Sequence, residues 1–148
     1  MAADLALTYD TAARRADLAF GNRGLLLDAT PCSQAIASLL SDRRARPDEG
    51  LPSQPAPLLQ PDQINPRRGW CGDALDQQGG RAGSRLWLLI RAKETPETRR
   101  RAERYAGEAL AWASPLGLTV AAEWVRRGVL RLTCRFGRDE LVIDQPVT

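Results

Sequence analysis

Between Arg44 and Gly83 the chain carries six prolines, Pro47, Pro52, Pro55, Pro57, Pro61 and Pro66, and no hydrophobic period survives across them. Each proline fixes φ and lacks the N–H that a helix or central strand needs, so no long regular element crosses this stretch. Regular structure is therefore confined to two flanks, joined by an irregular arm over residues 44–83. An arm of that length in a compact protein is usually functional or disordered, and this one is expected to order against neighbours. The 148 residues suit one domain, residues 1–148, able to bury a core without disulfides or a metal.

In the N-terminal flank Leu5, Leu7 and Tyr9 alternate, as do Ala16, Leu18 and Phe20, followed by the turn Gly21-Asn22-Arg23-Gly24 and the apolar Leu25 to Leu27. This pattern predicts a small antiparallel meander. Thr30-Pro31 supplies an N-cap and a proline at the first helical position, opening a short helix through Ile36, Leu39 and Leu40 that ends near Arg43.

In the C-terminal flank Ser84 to Arg91 (SRLWLLIR) reads as a short, nearly all-apolar helix beneath the rest. Thr95-Pro96-Glu97 repeats the start signal for the strongest helix in the chain, running to about Ala113. Its apolar positions, Ala102, Tyr105, Ala106, Ala109, Leu110 and Ala113, share one face, and Arg100, Arg101, Glu103, Arg104 and Glu108 cover the other. Pro115 and Gly117 stop it. Leu118 to Val125 and Val129 to Phe136 then form a hairpin around Arg126-Arg127-Gly128. With Val125 facing Val129, the register pairs Leu118 with Phe136, Val120 with Cys134, Ala122 with Leu132 and Trp124 with Leu130. The opposite, wet face pairs Glu123 with Arg131 and Thr119 with Arg135. The tail, residues 138–148, is either one more strand or an extended end that adds to a neighbour. The fold expected is α+β: a small antiparallel sheet packed on a long amphipathic helix, with an N-terminal β-meander and a long proline-rich loop.

Composition narrows function by exclusion. The chain has no histidine, so Ser-His-Asp, Cys-His and histidine-anchored metal sites are excluded. Cys32, Cys71 and Cys134 fit neither a disulfide framework nor a zinc spacing and read as free thiols, Cys134 buried. Thr30, Ser33, Ser41, Ser53, Ser84 and Thr95 sit in cap or loop contexts rather than beside a base. Asp73 and Asp76 lie in a loop without the apolar setting that raises an acid's pKa, and no cofactor motif is present; the glycines Gly69, Gly72, Gly79, Gly80 and Gly83 read as loop flexibility, since no Walker pattern follows them. No apolar run is long enough to span a membrane, and the start MAADLALTYD lacks the features of a signal peptide, so a protein made and kept in the cytoplasm is expected. The net charge of +3 rests on arginine, with Lys93 the only lysine. Planar guanidinium groups suit protein interfaces as well as phosphates; acidic residues are interspersed, and neither a reading helix nor a stacking sheet accompanies the arginine pairs.

Residues 65–93, NPRRGWCGDALDQQGGRAGSRLWLLIRAK, thus combine tryptophan, glycine and arginine in the manner of a docking surface. The order DLAL, SDRRA, RRGWCGDAL and GSRLWLLIRAKETPETRRRAERYAGEALAW resembles the Mu-type phage baseplate protein family, which is related to the small wedge subunit of contractile phage tails and type VI secretion baseplates. The resemblance covers nearly the whole chain. It implies a non-enzymatic wedge subunit, present in six copies per baseplate, that binds the larger wedge subunits, lies near the hub and spike, and offers a sheet edge to the first ring of tail sheath subunits. The implied setting is the virion tail baseplate or a headless contractile bacteriocin, without nucleic-acid or membrane partners. The partner-binding candidates are Asp42, Arg43, Arg44, Arg67, Arg68, Trp70, Asp73, Pro115, Arg131 and Arg135. At Ser114-Pro115-Leu116 the chain departs from the Glu-Pro-Arg of the wider wedge family, keeping the proline and losing both charges. An arginine-rich nucleic-acid-binding accessory protein and a peptidoglycan hydrolase are the alternatives.

Overall fold

A computed structural model describes residues 3–52 and 65–147. Ser53, Pro55, Pro57 and Pro61 lie outside the described residues, as do the rest of 53–64 within the arm.

The N-terminal strands form, but not as a flat meander. Strand β1 (Asp4–Leu5) pairs with β6 (Leu27–Asp28), β2 (Leu7–Asp10) with β3 (Arg15–Leu18), and β4 (Phe20–Gly21) with β5 (Gly24–Leu25), all antiparallel. Each extended segment changes partner at one residue, and those three residues close a ring of backbone hydrogen bonds. Ala6 N–H donates to Leu26 O (2.9 Å), Leu26 N–H to Ala19 O (2.9 Å) and Ala19 N–H to Ala6 O (2.8 Å). The junction satisfies every one of these central donors without needing a side chain. Leu7, Tyr9 and Ala16 pack toward the core, while Leu5, Leu18, Leu25, Leu26, Leu27 and Phe20 stay exposed.

Helix α1 (Cys32–Leu40) buries Ser33, Ala35, Ile36 and Leu39. Its start differs from the Thr-Pro expectation: Pro31 precedes the helix, and the anion at the N-terminus is Asp28. The Asp28 carboxylate accepts from Thr30 N–H (2.8 Å), Ser33 N–H (3.2 Å) and Ser33 Oγ (2.6 Å). Burial opposes its ionisation, but these hydrogen bonds outweigh it and lower its pKa to about 2. The helix stops at Leu40 rather than near Arg43, because Ser41 turns extended and Asp42 bridges to Ser84 in parallel.

That bridge also explains why residues 84–91 are not a helix. Ser84 is pinned on both sides, its N–H on Ser41 O and its O on Arg43 N–H (2.8 Å each), and its hydroxyl donates to Leu39 O (2.6 Å). What remains is one 3-10 turn, Leu86–Leu89, buried throughout as expected.

Helix α2 (Pro96–Ala109) is capped by Thr95, whose Oγ1 accepts from Thr98 N–H (3.1 Å). It ends short of Ala113, giving way to a 3-10 run over Ala111–Leu116. Ala102, Tyr105, Ala106, Leu110 and Ala113 are buried as the spacing predicts. Glu103 and Glu108 do not belong to an outer, solvated face: Glu103 accepts from Ala122 N–H (3.0 Å), and Glu108 pairs with Arg85.

Strands β7 (Leu118–Arg126), β8 (Val129–Phe136) and β9 (Asp139–Pro146) make a three-stranded antiparallel sheet in that order. The predicted register holds from Leu118↔Phe136 to Trp124↔Leu130, including Glu123↔Arg131 and Thr119↔Arg135. At the end a bulge intervenes, so Arg126, not Val125, faces Val129, and the connection shortens to Arg127-Gly128 with Gly128 at φ 72°. Bulging absorbs the extra residue that the expected three-residue loop would have held. The tail resolves as a strand of the chain's own sheet. Leu130, Leu132, Cys134, Phe136, Leu141 and Ile143 form the buried face, joined by the α1, Leu86–Leu89 and α2 side chains in one apolar cluster. Desolvation pushes the Cys134 thiol up to about 12, so it is inert there.

Candidate partner-binding surface

Seven of the ten candidate residues come together where the chain leaves α1. Residues 41–45 run extended between two other segments. Arg43 N–H donates to Ser84 O, and Ala45 N–H donates to Arg67 O (2.9 Å). Two glycines allow this approach. A Cβ on Gly83 (φ 85°) would meet Ser41 O at 2.5 Å, and one on Gly69 (φ 106°) would meet Arg44 Cβ at 2.8 Å. Gly69 and Gly83 are thus sites of close backbone approach, not of flexibility.

Trp87 lies at the centre of this assembly. Its indole N–H donates to Arg43 O (2.9 Å), and the Arg68 guanidinium sits 4.5 Å over its ring. Arg68 is oriented by Asp42 at 2.7 Å. Arg43 donates through Nε (3.2 Å) and Nη2 (2.5 Å) to Arg81 O; Arg67 donates to Arg46 O and to Pro47 O (3.0 Å). Among the described residues Arg44 has only long contacts, to Asn65 Oδ1 (3.3 Å) and Arg68 O (3.5 Å), and it is exposed. Desolvation lowers the Arg43 pKa; Glu108 opposes that shift, and repulsion from Arg85 reinforces it.

Trp70 remains 60% exposed, its ring folded over Gly72, where any Cβ would collide with it. Asp73 is buried; Oδ1 accepts from Ala82 N–H (2.9 Å), and Oδ2 has no partner among the described residues. Asp76 accepts from Gln78 N–H (2.8 Å) and Gly80 N–H (2.7 Å). Both carboxylates therefore shape the loop.

The other three candidates lie on other elements. Pro115 is exposed within the 3-10 run after α2. Arg131 makes a two-pronged pair with Asp144 (2.8 and 3.0 Å), and Arg135 pairs with Glu140 (2.6 Å), both on the outer sheet face. Asp144, through hydrogen bonding and attraction, raises the Arg131 pKa.

The structure adds residues that sequence reasoning missed. Arg85 is 3% exposed and lies between Glu49 (2.5 Å) and Glu108, with its guanidinium 4.7 Å over Tyr105. An arginine inside the apolar run SRLWLL was the available signal, since arginine is rarely buried unless paired. Arg46 and Arg81 join Arg43, Arg44 and Arg67 around a concavity of about 630 Å³.

The sheet edges are unequal. Ala122 N–H points away from β8, so the groups of Leu118, Val120 and Trp124 do likewise. Among the described residues only Ala122 N–H of that set is engaged, by Glu103. On β9 the outward carbonyls of Asp144 and Glu140 are met by Tyr9 Oη (2.9 Å) and Cys32 Sγ (3.9 Å).

Residues 31–140 match the profile of the family described as Phage protein GP46. The chain is 38% identical to the "Baseplate protein gp46" of Escherichia phage Mu over 133 residues, covering 87% of this chain and 83% of that one. It is 36% identical to the "Mu-like prophage FluMu protein gp46" of Haemophilus influenzae over 109 residues, 74% of this chain and 64% of that protein. No solved structure matches. The seven-residue cluster falls inside the matched range, and the N-terminal β-junction falls outside it. Among the described residues no helix is long and apolar enough to cross a membrane.

Proposed function

Because this chain belongs to the Phage protein GP46 family, we propose that it is a non-enzymatic wedge subunit of a contractile-tail baseplate. In this reading it binds the larger wedge proteins and templates the first sheath ring by β-strand addition, with six copies per baseplate. The cluster around Trp87, carrying Asp42, Arg43, Arg44, Arg67, Arg68, Trp70 and Asp73, is the wedge contact. Arginine and tryptophan are the residue types that dominate interface energetics.

The observation that carries the sheath assignment is the inequality of the two edges. On β9 the outward carbonyls of Asp144 and Glu140 are met by Tyr9 and Cys32 and Pro146 supplies no N–H, whereas on β7 no outward carbonyl is met and only the Ala122 N–H is engaged among the described residues. An extended partner segment pairs with such groups directionally and with little demand on its own sequence. It must displace the Glu103 carboxylate from Ala122, which makes the edge guarded rather than sticky. Arg99 lies beside it, across a concavity of about 380 Å³ lined by Thr119, Ala121 and Glu123, with room for the partner's side chains.

Val120→Pro tests this, because its N–H faces outward and lies outside the β8 ladder, where an edge proline is tolerated. Particles carrying the variant should contain baseplates and tubes without sheath under the electron microscope. Normal sheaths on those particles would reject strand addition at β7. Normal sheathed particles after deletion of the whole gene would reject the baseplate role itself. The arginine content also suits nucleic acid, and salt-dependent retention on DNA that persists at physiological ionic strength would favour that reading instead.

A further inference from the structure

The concavity beside residues 43–47 is lined by Arg43, Arg44, Arg46, Arg67, Arg81 and Arg85. Among the described residues Glu108 is the one carboxylate in the lining, and it is committed with Glu49 to Arg85, with Arg46 at 3.8 Å, so Arg85 is already neutralised and the other five arginines are not. The fixed forks of Arg43 and Arg67 are held by backbone carbonyls, which orient a guanidinium without neutralising it. The guanidinium groups of Arg44 and Arg81 make no hydrogen bond shorter than 3.3 Å among the described residues, and both residues are exposed. Both also line a second concavity, of about 380 Å³, that ends at Trp70 and Cys71. The two spaces adjoin at Arg44 and Arg81, and we treat them as one groove whose second half carries the exposed indole of Trp70.

We propose that this groove receives an extended acidic segment of a neighbouring polypeptide, whose carboxylates pair with Arg44, Arg81 and Arg46 and whose backbone or apolar side chain lies on Trp70. The proposal rests on the baseplate reading for the existence of a neighbour, and on the groove alone for that neighbour's chemistry. Charge complementarity selects an anion, since so many like charges around one hollow repel each other until a partner supplies the opposite sign. The planar guanidinium forks of Arg44, Arg46 and Arg81 match carboxylates in two-point contact. A volume of about 630 Å³ is the size of a site for a few side chains. A nucleic-acid strand fits less well. Its phosphates are closely and evenly spaced, so some would oppose Glu108, Asp42 and Asp73, and Trp70 offers one stacking platform where strand binding uses a series.

The test uses the full chain and two fluorescent probes of equal net charge, a peptide alternating glutamate with serine and an oligodeoxythymidine, titrated at physiological salt. The peptide should bind more tightly. Arg44→Ala with Arg81→Ala should weaken it by at least about tenfold, while Arg100→Ala with Arg138→Ala, also exposed and outside the groove, should change it by less than about twofold. Equal loss in the two double variants, or tighter binding of the oligonucleotide through Arg44 and Arg81, overturns the proposal. Tagged chains are then followed into purified tail particles. Wild type present with the Arg44→Ala, Arg81→Ala variant depleted supports the groove. Equal amounts of both overturn the groove and leave the baseplate reading standing. Wild type absent overturns the baseplate reading, and the peptide titration alone then decides the groove.

Discussion

Arg85 is the least exposed charged side chain among the described residues. It is buried, it donates to Glu49 and Glu108, and Tyr105 sandwiches the arrangement from below while its hydroxyl donates to Glu49 Oε1 at 3.1 Å. Burial disfavours the Arg85 cation, yet hydrogen bonding and attraction from Glu108 and Glu49 raise its pKa. Taking it away deprives two half-buried carboxylates of their closest cation. Arg85→Ala should lower the free energy of unfolding by about 3–5 kcal/mol, read from the midpoint of a urea titration. Arg85→Lys should recover only part of that, since one ammonium cannot span both acids as a planar fork does. A loss below about 1 kcal/mol in the alanine variant would show that water screens the triad despite its low exposure.

At the scale of elements, the contact between residues 41–45 and 83–85 decides where both the docking cluster and the 3-10 turn sit. Gly83 is its hinge point, left-handed and packed against the Ser41 carbonyl. Gly83→Ala should cost more than about 2 kcal/mol, because it adds a steric collision to the roughly 1–2 kcal/mol of the left-handed backbone. Gly79→Ala, at φ 72° with nothing near its missing Cβ, should cost only the backbone part. Equal losses in thermal or urea unfolding would mean that the close approach at Gly83 is not tight in solution. This contact was also the element least legible in the amino-acid sequence. The β7–β8 register could be read residue by residue as far as Trp124, since a period of two and four apolar cross-strand pairs leave one solution, though not the bulge that puts Arg126 opposite Val129. No local period records that Ser84 pairs with residues forty positions earlier, so SRLWLLIR looked like a buried helix, a confusion inherent in short apolar runs. In the same way alternation located the N-terminal strands but not their exchange of partners at Ala6, Ala19 and Leu26, which depends on all three segments meeting. Of the candidate site, Trp70 and the Arg43-Arg44 and Arg67-Arg68 pairs were legible from residue type, whereas Glu49, Arg85 and Glu108 were hidden because their partners are distant in the chain.

For the whole molecule, the number of open sheet edges limits what it can assemble into. A sheet with two open edges can grow without end, and one with a single open edge can pair once about a two-fold axis and stop. Here β9 has two outward carbonyls engaged by Tyr9 and Cys32 and no N–H at Pro146, which leaves β7 the freer edge, with its central N–H occupied by Glu103. Glu103→Ala removes that occupant and leaves Ala122 N–H in line with the outward groups of Val120 and Trp124. The variant should then self-associate at high concentration through β7 against β7. Sedimentation velocity should show a monomer–dimer equilibrium with no larger species, shifted at least about tenfold toward dimer relative to wild type, as expected for one or two exposed backbone hydrogen bonds gained. Adding Val120→Pro should return it to monomer, since the proline removes a donor that the new pairing needs. Species beyond the dimer would reveal that the β9 edge opens in solution, and an unshifted equilibrium would show that Glu103 does not guard β7, in which case an incoming sheath strand has nothing to displace.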